Sequence, residues 1–198
     1  GTFGKALAFV GSSGMAGAAI LAGSAILKSG TGMVTVATAE NIISTLAHRF
    51  PSVMTLPLHQ DNGEFPDTTA KLLLEKSKDS DAVLIGCGLG KSSSTCQAVI
   101  ELINLLEKPL VIDADALNIL SKNIDILNRL NKNIILTPHV AEFSRLSGVE
   151  ISKIKENPIL HASDFAKKYN VTLILKDAVT VVADALGKVS VCPASNSG

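Results

Sequence analysis

The sequence predicts an α/β protein, with a mostly parallel central sheet held between two layers of helices in an α/β/α sandwich. Three observations carry this. Short apolar runs of strand length alternate with amphipathic stretches of helix length. Glycine-rich segments follow directly on two of the apolar runs. A third apolar run, Leu110-Val111-Ile112, ends on Asp113 and Asp115. Unpaired carboxylates are costly beside a core strand, whereas ligands of open α/β sheets bind outside the carboxyl ends of strands.

Taken in order, the first strand is Ala6–Val10, closed by Gly11. Helix Met15–Lys28 follows, crowded with Ala16, Gly17, Ala18, Ala19, Ala22, Gly23, Ser24 and Ala25. A glycine inside a helix costs about 1 kcal/mol relative to alanine. A close approach to a sheet, a ligand or another subunit would justify that cost. Strands Val34–Ala37, Met54–Leu56 and Ala82–Ile85 alternate with helices Asn41–His48, Thr68–Lys76 and Ser94–Leu106. Strand Leu110–Ile112 precedes a helix starting near Ala116, which either Asp113 or Asp115 is expected to cap while the other serves a site. Strand Ile134–Leu136 is stopped by Pro138, and helix Ala141–Leu146 follows. Helix Leu160–Tyr169 leads into strand Thr172–Leu175. The runs Val179–Ala183 and Val189–Cys192 read as a hairpin across Ala185-Leu186-Gly187-Lys188, with Gly187 taking a positive φ.

The 198 residues suit one domain spanning 1–198, and 46% hydrophobic content supplies a packed core. A net charge of +0 gives no basic field for nucleic acid or an anionic membrane surface. Cys87, Cys96 and Cys192 are odd in number and form no Cys-x-x-Cys pair, which favours a reducing, cytoplasmic setting. The apolar run Met15–Leu27 falls short of the roughly 20 residues a bilayer span needs, and no signal peptide is recognisable. Gly1 lies only a few positions before the first strand, and Ser195-Asn196-Ser197-Gly198 reads as a turn-like stretch. Both ends are expected to be cut from something longer.

Four further segments carry chemistry. Gly11-Ser12-Ser13-Gly14-Met15-Ala16-Gly17 links a strand to a helix. It reads either as a tight turn or as an anion cradle of helix N-terminal amides. Gly86-Cys87-Gly88-Leu89-Gly90 offers the same two readings. With Lys91 where a dinucleotide fingerprint has glycine, it is a poor match to that motif. His139 lands at a strand end matching that of Asp113, and reads as a site residue or as a structural hydrogen-bonder. Glu142 sits in the first helical turn, where the macrodipole favours an acid. Lys176 meets a nucleotide phosphate or, as a plain loop lysine, pairs with Asp177. Asn118 stands one turn after Asp115, able to donate and accept there.

In this order, the motifs resemble one family, the ADP/ATP-dependent NAD(P)H-hydrate dehydratases of the ribokinase-like superfamily. The matching pieces are Gly14-Met15-Ala16-Gly17-Ala18-Ala19, Ser29-Gly30-Thr31-Gly32-Met33-Val34, Gly88-Leu89-Gly90, Asp113-Ala114-Asp115-Ala116-Leu117-Asn118, Leu136-Thr137-Pro138-His139 and Lys176-Asp177-Ala178-Val179-Thr180. The resemblance implies a ribokinase-like sandwich that repairs hydrated NADH or NADPH. ADP or ATP, with Mg2+, phosphorylates the C6 hydroxyl of the damaged ring, and loss of phosphate restores it. It also implies a hydrated-cofactor site lined by Ala18, Gly90 and His139, to which Gly88, Asp115 and Asn118 are added from their strand-end placement. Lys176, Asp177, Ala178, Val179 and Thr180 fall at the adenine-nucleotide site, and Asp113 is a candidate metal ligand. The family often forms tetramers, so a homo-oligomer is expected.

Three departures stand out. Ala141 and Asp177 replace glycines common in the family. The family's Gly-Ser-Gly-Asp segment, with its anion hole and catalytic aspartate, falls beyond Gly198. The alternatives are a small-molecule kinase of the same superfamily, acting on a vitamin precursor or sugar, and a fragment that binds nucleotide without turnover.

Overall fold

The computed structural model describes residues 2–193 and divides the chain into two compact units, Gly1–Leu110 and Val111–Gly198. The expected turn at Ser195–Gly198 lies outside the described residues, as does Gly1.

The first unit contains strands β1 (Lys5–Phe9), β2 (Met33–Ala39), β3 (Met54–Leu58) and β4 (Ala82–Ile85). They pair in the order β3-β2-β1-β4, all parallel. Leu7, Ala8 and Phe9 are buried in succession, as expected of a parallel strand covered on both faces. Its helices are α1 (Ala16–Lys28), α2 (Ile43–Arg49), α3 (Thr69–Ser77) and α4 (Ser93–Leu105). Ser92 starts α4, its side chain accepting from the Thr95 amide. Phe65 is fully buried and meets Phe9 edge-to-face at 5.0 Å.

The small residues of α1 are explained in part by that sheet. A Cβ on Gly23 would lie 3.2 Å from Val36 Cγ2 and 3.1 Å from the Phe50 ring. The helix therefore needs glycine there to reach β2. Gly17 has nothing within 4 Å of its Cβ position, so no such contact accounts for it.

The second unit carries β5 (Leu110–Ile112), which starts at its boundary, then β6 (Ile134–Leu136), β7 (Thr172–Leu175), β8 (Thr180–Ala183) and β9 (Val189–Cys192). They lie in that order, with β6 and β7 parallel and β7-β8-β9 antiparallel. Gly187 takes φ +82° in the β8-β9 hairpin, as expected. The helices are α5 (Asp115–Leu120), α6 (Val140–Ser147), α7 (Ile151–Glu156) and α8 (Pro158–Tyr169). Phe143 and Phe165 meet edge-to-face at 5.2 Å in its core.

Several details differ from the sequence reading. The single helix expected over Asn41–His48 is a 3-10 turn, Glu40–Ile42, running into α2. A 3-10 stretch over Ser121–Arg129, kinked at Asn123, and α7 were both unforeseen. Helix α8 begins two residues before Leu160, because Asn157 caps it and Pro158 occupies its first position. Neither Asp113 nor Asp115 caps α5. The cap position belongs to Ala114, which has no side chain to do so, and Asp115 is the first helical residue. No helix among the described residues is long and apolar enough to cross a membrane.

Candidate active site

In the first unit, the loops after β1 and β4 are stitched together. The Gly11 amide donates to the Cys87 carbonyl at 2.8 Å, and the Gly86 amide donates to Phe9 at 3.2 Å. Gly88 has φ +72°, and a Cβ there would lie 2.9 Å from Ala18 Cβ and 3.1 Å from Met15 Cβ. Two of the residues singled out from sequence, Ala18 and Gly88, therefore touch. Gly90 (φ +82°) has open space where a side chain would stand. Glycines at such positions bring bare backbone to a surface that a ligand can approach.

Polar groups gather at the carboxyl ends of β1, β2 and β3. The Ser13 amide donates to Gln60 Oε1 at 3.1 Å, and Asn41 Nδ2 donates to Ser13 Oγ at 2.9 Å. His59 stands 2.9 Å from Glu40 through Nδ1 and 2.9 Å from Asp61 through Nε2. The hydrogen bonds to Glu40, then to Asp61, raise the His59 pKa above its ordinary value. No motif pointed to this group, since its three members come from two different strand ends.

In the second unit, β5, β6 and β7 end in one hydrogen-bonded seam. Thr137 Oγ1 donates to Asp113 Oδ1 at 2.7 Å, and Lys176 Nζ lies 3.0 Å from the same oxygen. The Thr137 amide donates to Ile112, the Lys176 amide donates to Pro138 at 2.8 Å, and His139 bridges Lys176 strand-to-strand. Lys176 thus pairs with Asp113 rather than with Asp177. The Asp113 carboxylate, in the same seam, balances the lysine's charge.

His139 caps α6. Its Nδ1 accepts from the Ala141 and Glu142 amides at 3.1 and 3.3 Å, and the Glu142 carboxylate accepts from the His139 amide at 2.9 Å. This is a capping box with histidine in place of serine or threonine. Because Nδ1 accepts, the ring hydrogen sits on Nε2. That nitrogen is on an exposed ring, 3.4 Å from Glu142 Oε1. Asn118 is engaged on both sides, its Nδ2 donating to the Ala114 carbonyl and its Oδ1 accepting from Arg145 Nε at 2.7 Å. Asp115 is half-buried in the first turn of α5.

Beside this seam lies an apolar cavity of about 230 Å³, lined by Val140, Ile154, Pro158, Ile159, Val179 and Val181 among others. A cleft of about 490 Å³ runs along His139, Lys155, Lys176, Asp177 and Ala178. Lys176, Asp177, Ala178 and Val179 are exposed at these openings, and Thr180 begins β8. The sequence reading missed the walls given by Ile154, Pro158 and Ile159. The Asn157-Pro158 pair was the available signal, since asparagine followed by proline marks a helix start. Among the described residues, no three His, Cys, Asp or Glu side chains cluster as metal ligands.

The fold and these strand-end sites define the class. The chain has a ribokinase-like α/β fold, shared with a ribokinase-like superfamily protein from Enterococcus faecalis (TM-score 0.81, 25% identity, 98% of this chain and 64% of that one). The ADP/ATP-dependent NAD(P)H-hydrate dehydratase from Bacillus subtilis, co-crystallised with ATP and Mg2+, superposes with a TM-score of 0.77 at 28% identity, covering 98% of this chain and 65% of that one. The bifunctional NAD(P)H-hydrate repair enzyme of Moorella thermoacetica is 36% identical over 199 residues, covering 100% of this chain and 38% of that protein. A family profile described as NAD(P)H-hydrate dehydratase matches residues 6–198, so the chain belongs to that family. The chain spans less than two thirds of the length of the curated relatives it matches first.

Proposed function

We propose that this chain, as a single dehydratase domain over residues 1–198, works in the ADP- or ATP-dependent dehydration of hydrated NADH or NADPH. The observation that carries the reading is the apolar 230 Å³ cavity walled in part by Asp177, Ala178 and Val179, with the Lys176 ammonium, held by Asp113, lining the adjoining cleft. An adenine ring takes the apolar walls, and the phosphates take Lys176 and the exposed backbone of 176–180. Family membership supports the choice of substrate.

The chemistry is phosphoryl transfer followed by elimination. The C6 hydroxyl of the hydrated ring attacks the terminal phosphorus, and the nucleotide leaves one phosphate shorter. The C6–O bond then breaks, phosphate departs, a proton leaves C5, and the C5–C6 double bond returns. Such transfer relies on positioning and charge stabilisation. His139 offers Nε2–H to the hydrated cofactor. In the first unit, Ala18, Gly88 and Gly90 present backbone without bulky side chains to a ligand; in the second, Asp115 and Asn118 stand in the first turn of α5. The described carboxylates form no three-ligand metal cluster, and Asp113 is already paired with a cation. Mg2+, when bound with the nucleotide, would supply positive charge against its phosphates. The reading also carries a cytoplasmic homo-oligomer, whose size sedimentation would measure.

The family resemblance puts the catalytic aspartate beyond Gly198, so the test uses a longer chain carrying the Gly-Ser-Gly-Asp segment. With ADP or ATP and Mg2+, it should restore reduced-nicotinamide absorbance from the hydrate. Equal turnover of thiazole or pyridoxal alcohols, with no recovery from the hydrate, would move the assignment to a small-molecule kinase.

A further inference from the structure

We infer that Asp113 is a positioning residue, which sets the Lys176 ammonium for the phosphates of an adenine nucleotide; the inference rests on the nucleotide reading of the 176–180 loop. Lysine is a flexible side chain that loses considerable rotamer freedom when it is fixed. Here Lys176 is half-exposed, yet its Nζ is tied to Asp113 Oδ1 at 3.0 Å, and Thr137 Oγ1 holds that same oxygen at 2.7 Å. The carboxylate is itself placed by an unusual backbone. Ala114, the next residue, has φ +49° and ψ −118°, a conformation that non-glycine residues seldom adopt.

Such a conformer persists only where its surroundings over-determine it. The Ala114 carbonyl accepts both the Asn118 amide at 3.1 Å and Asn118 Nδ2 at 3.2 Å. Asn118 is in turn held by Arg145 Nε at 2.7 Å. A chain of contacts thus runs from Arg145 through Asn118 and the Ala114 elbow to Asp113, and from there to Lys176. Its last member lines the cleft along His139, Lys155 and Asp177. A lysine held in place gives up less freedom when phosphate arrives.

Calorimetric titration of ADP and of adenosine against the full-length protein tests this, because adenosine lacks the phosphates that Lys176 would meet. Asp113→Ala should weaken ADP about 3- to 10-fold, the scale of one lost hydrogen bond to a charged, partly exposed group, and leave adenosine unchanged. Asp113→Asn keeps the acceptor and should recover most of the loss. In a Lys176→Met background, Asp113→Ala should cost nothing more. Should the alanine variant fail to fold, Asp113→Ser, too short to reach Lys176, stands in with the same expectation. Parallel losses for both ligands, an unchanged or tighter ADP affinity, or a full Asp113 effect persisting without Lys176 would each overturn the inference. If the unaltered protein binds no ADP, the nucleotide reading itself fails and takes the inference with it.

Discussion

His139 has two jobs that must be separated experimentally. As the cap of α6 it satisfies two backbone amides, and replacing a good cap by alanine costs about 0.5–2 kcal/mol of stability. As a proposed cofactor contact it offers Nε2–H. His139→Ala should therefore lower both stability and affinity for the hydrated cofactor, the latter roughly 2- to 10-fold for one lost hydrogen bond. His139→Asn separates the two, since asparagine caps well but lacks the ring. It should melt close to the unaltered protein and still bind the hydrated cofactor weakly, with ADP affinity unchanged. Normal cofactor affinity in the asparagine variant would reduce His139 to a cap. His59 gives a second residue-scale test. Its pKa lies above the ordinary 6.5, chiefly through Glu40 and then Asp61. The folded state holds the proton more tightly than the unfolded chain. The stabilising contribution is therefore complete below the ordinary value and fades as pH rises through the raised one. An NMR titration of the His59 ring should show a midpoint above 6.5, and Glu40→Gln should lower it more than Asp61→Asn does. A midpoint indifferent to both changes would mean that the two contacts do not persist in solution.

Two turns predict opposite responses to exchanging glycine and alanine. Gly88 has φ +72° and no room for a Cβ, which would press to 2.9 Å on Ala18. Gly88→Ala should destabilise by about 1–3 kcal/mol, the usual cost of such strain, and shift the first turn of α1. Ala114 already sits at positive φ, so Ala114→Gly relieves strain while adding freedom to the unfolded chain. The two effects oppose each other, and the change should stay within about 1 kcal/mol of neutral by denaturant titration. A loss above that range would show that Ala114 is not strained. The same elements show what the sequence reveals and what it hides. β4, β5, β6 and β7 were legible to the residue, because each is a short apolar run cut off by glycine, aspartate, proline or lysine. Helix α7 was not. It has six residues and buries only Ile154, too little to show a helical period. The Ala114 cap was hidden for a different reason: Asp113 and Asp115 both carry cap-forming side chains, yet the backbone turned at the alanine between them.

At the scale of the whole chain, the family was legible because the motifs occur in a fixed order, four of the six at or just after a strand end. The partners of those motifs were not legible. Asp113, Thr137 and Lys176 lie 24 to 63 residues apart in sequence, and only the order β5-β6-β7 makes them neighbours. The apolar walls were hidden as well, since Ile154 and Ile159 look like ordinary core residues until α7 and α8 are placed beside β7 and β8. That grouping predicts where nucleotide binding will be felt. The proposed adenine cavity and the Lys176–Thr180 loop are built wholly from residues of the second unit. Exposed loop amides exchange through local openings, and a ligand that binds only the closed form suppresses those openings. At an ADP concentration 100 times Kd, the closed form gains about 2.7 kcal/mol, roughly a hundredfold slowing for openings that release the ligand. Hydrogen exchange with ADP should therefore slow most over residues 151–161 and 176–183. The Gly11–Gly17 and Gly86–Gly90 loops should change far less. Protection centred on those two glycine loops would place the nucleotide in the first unit and overturn the assignment of Lys176–Thr180.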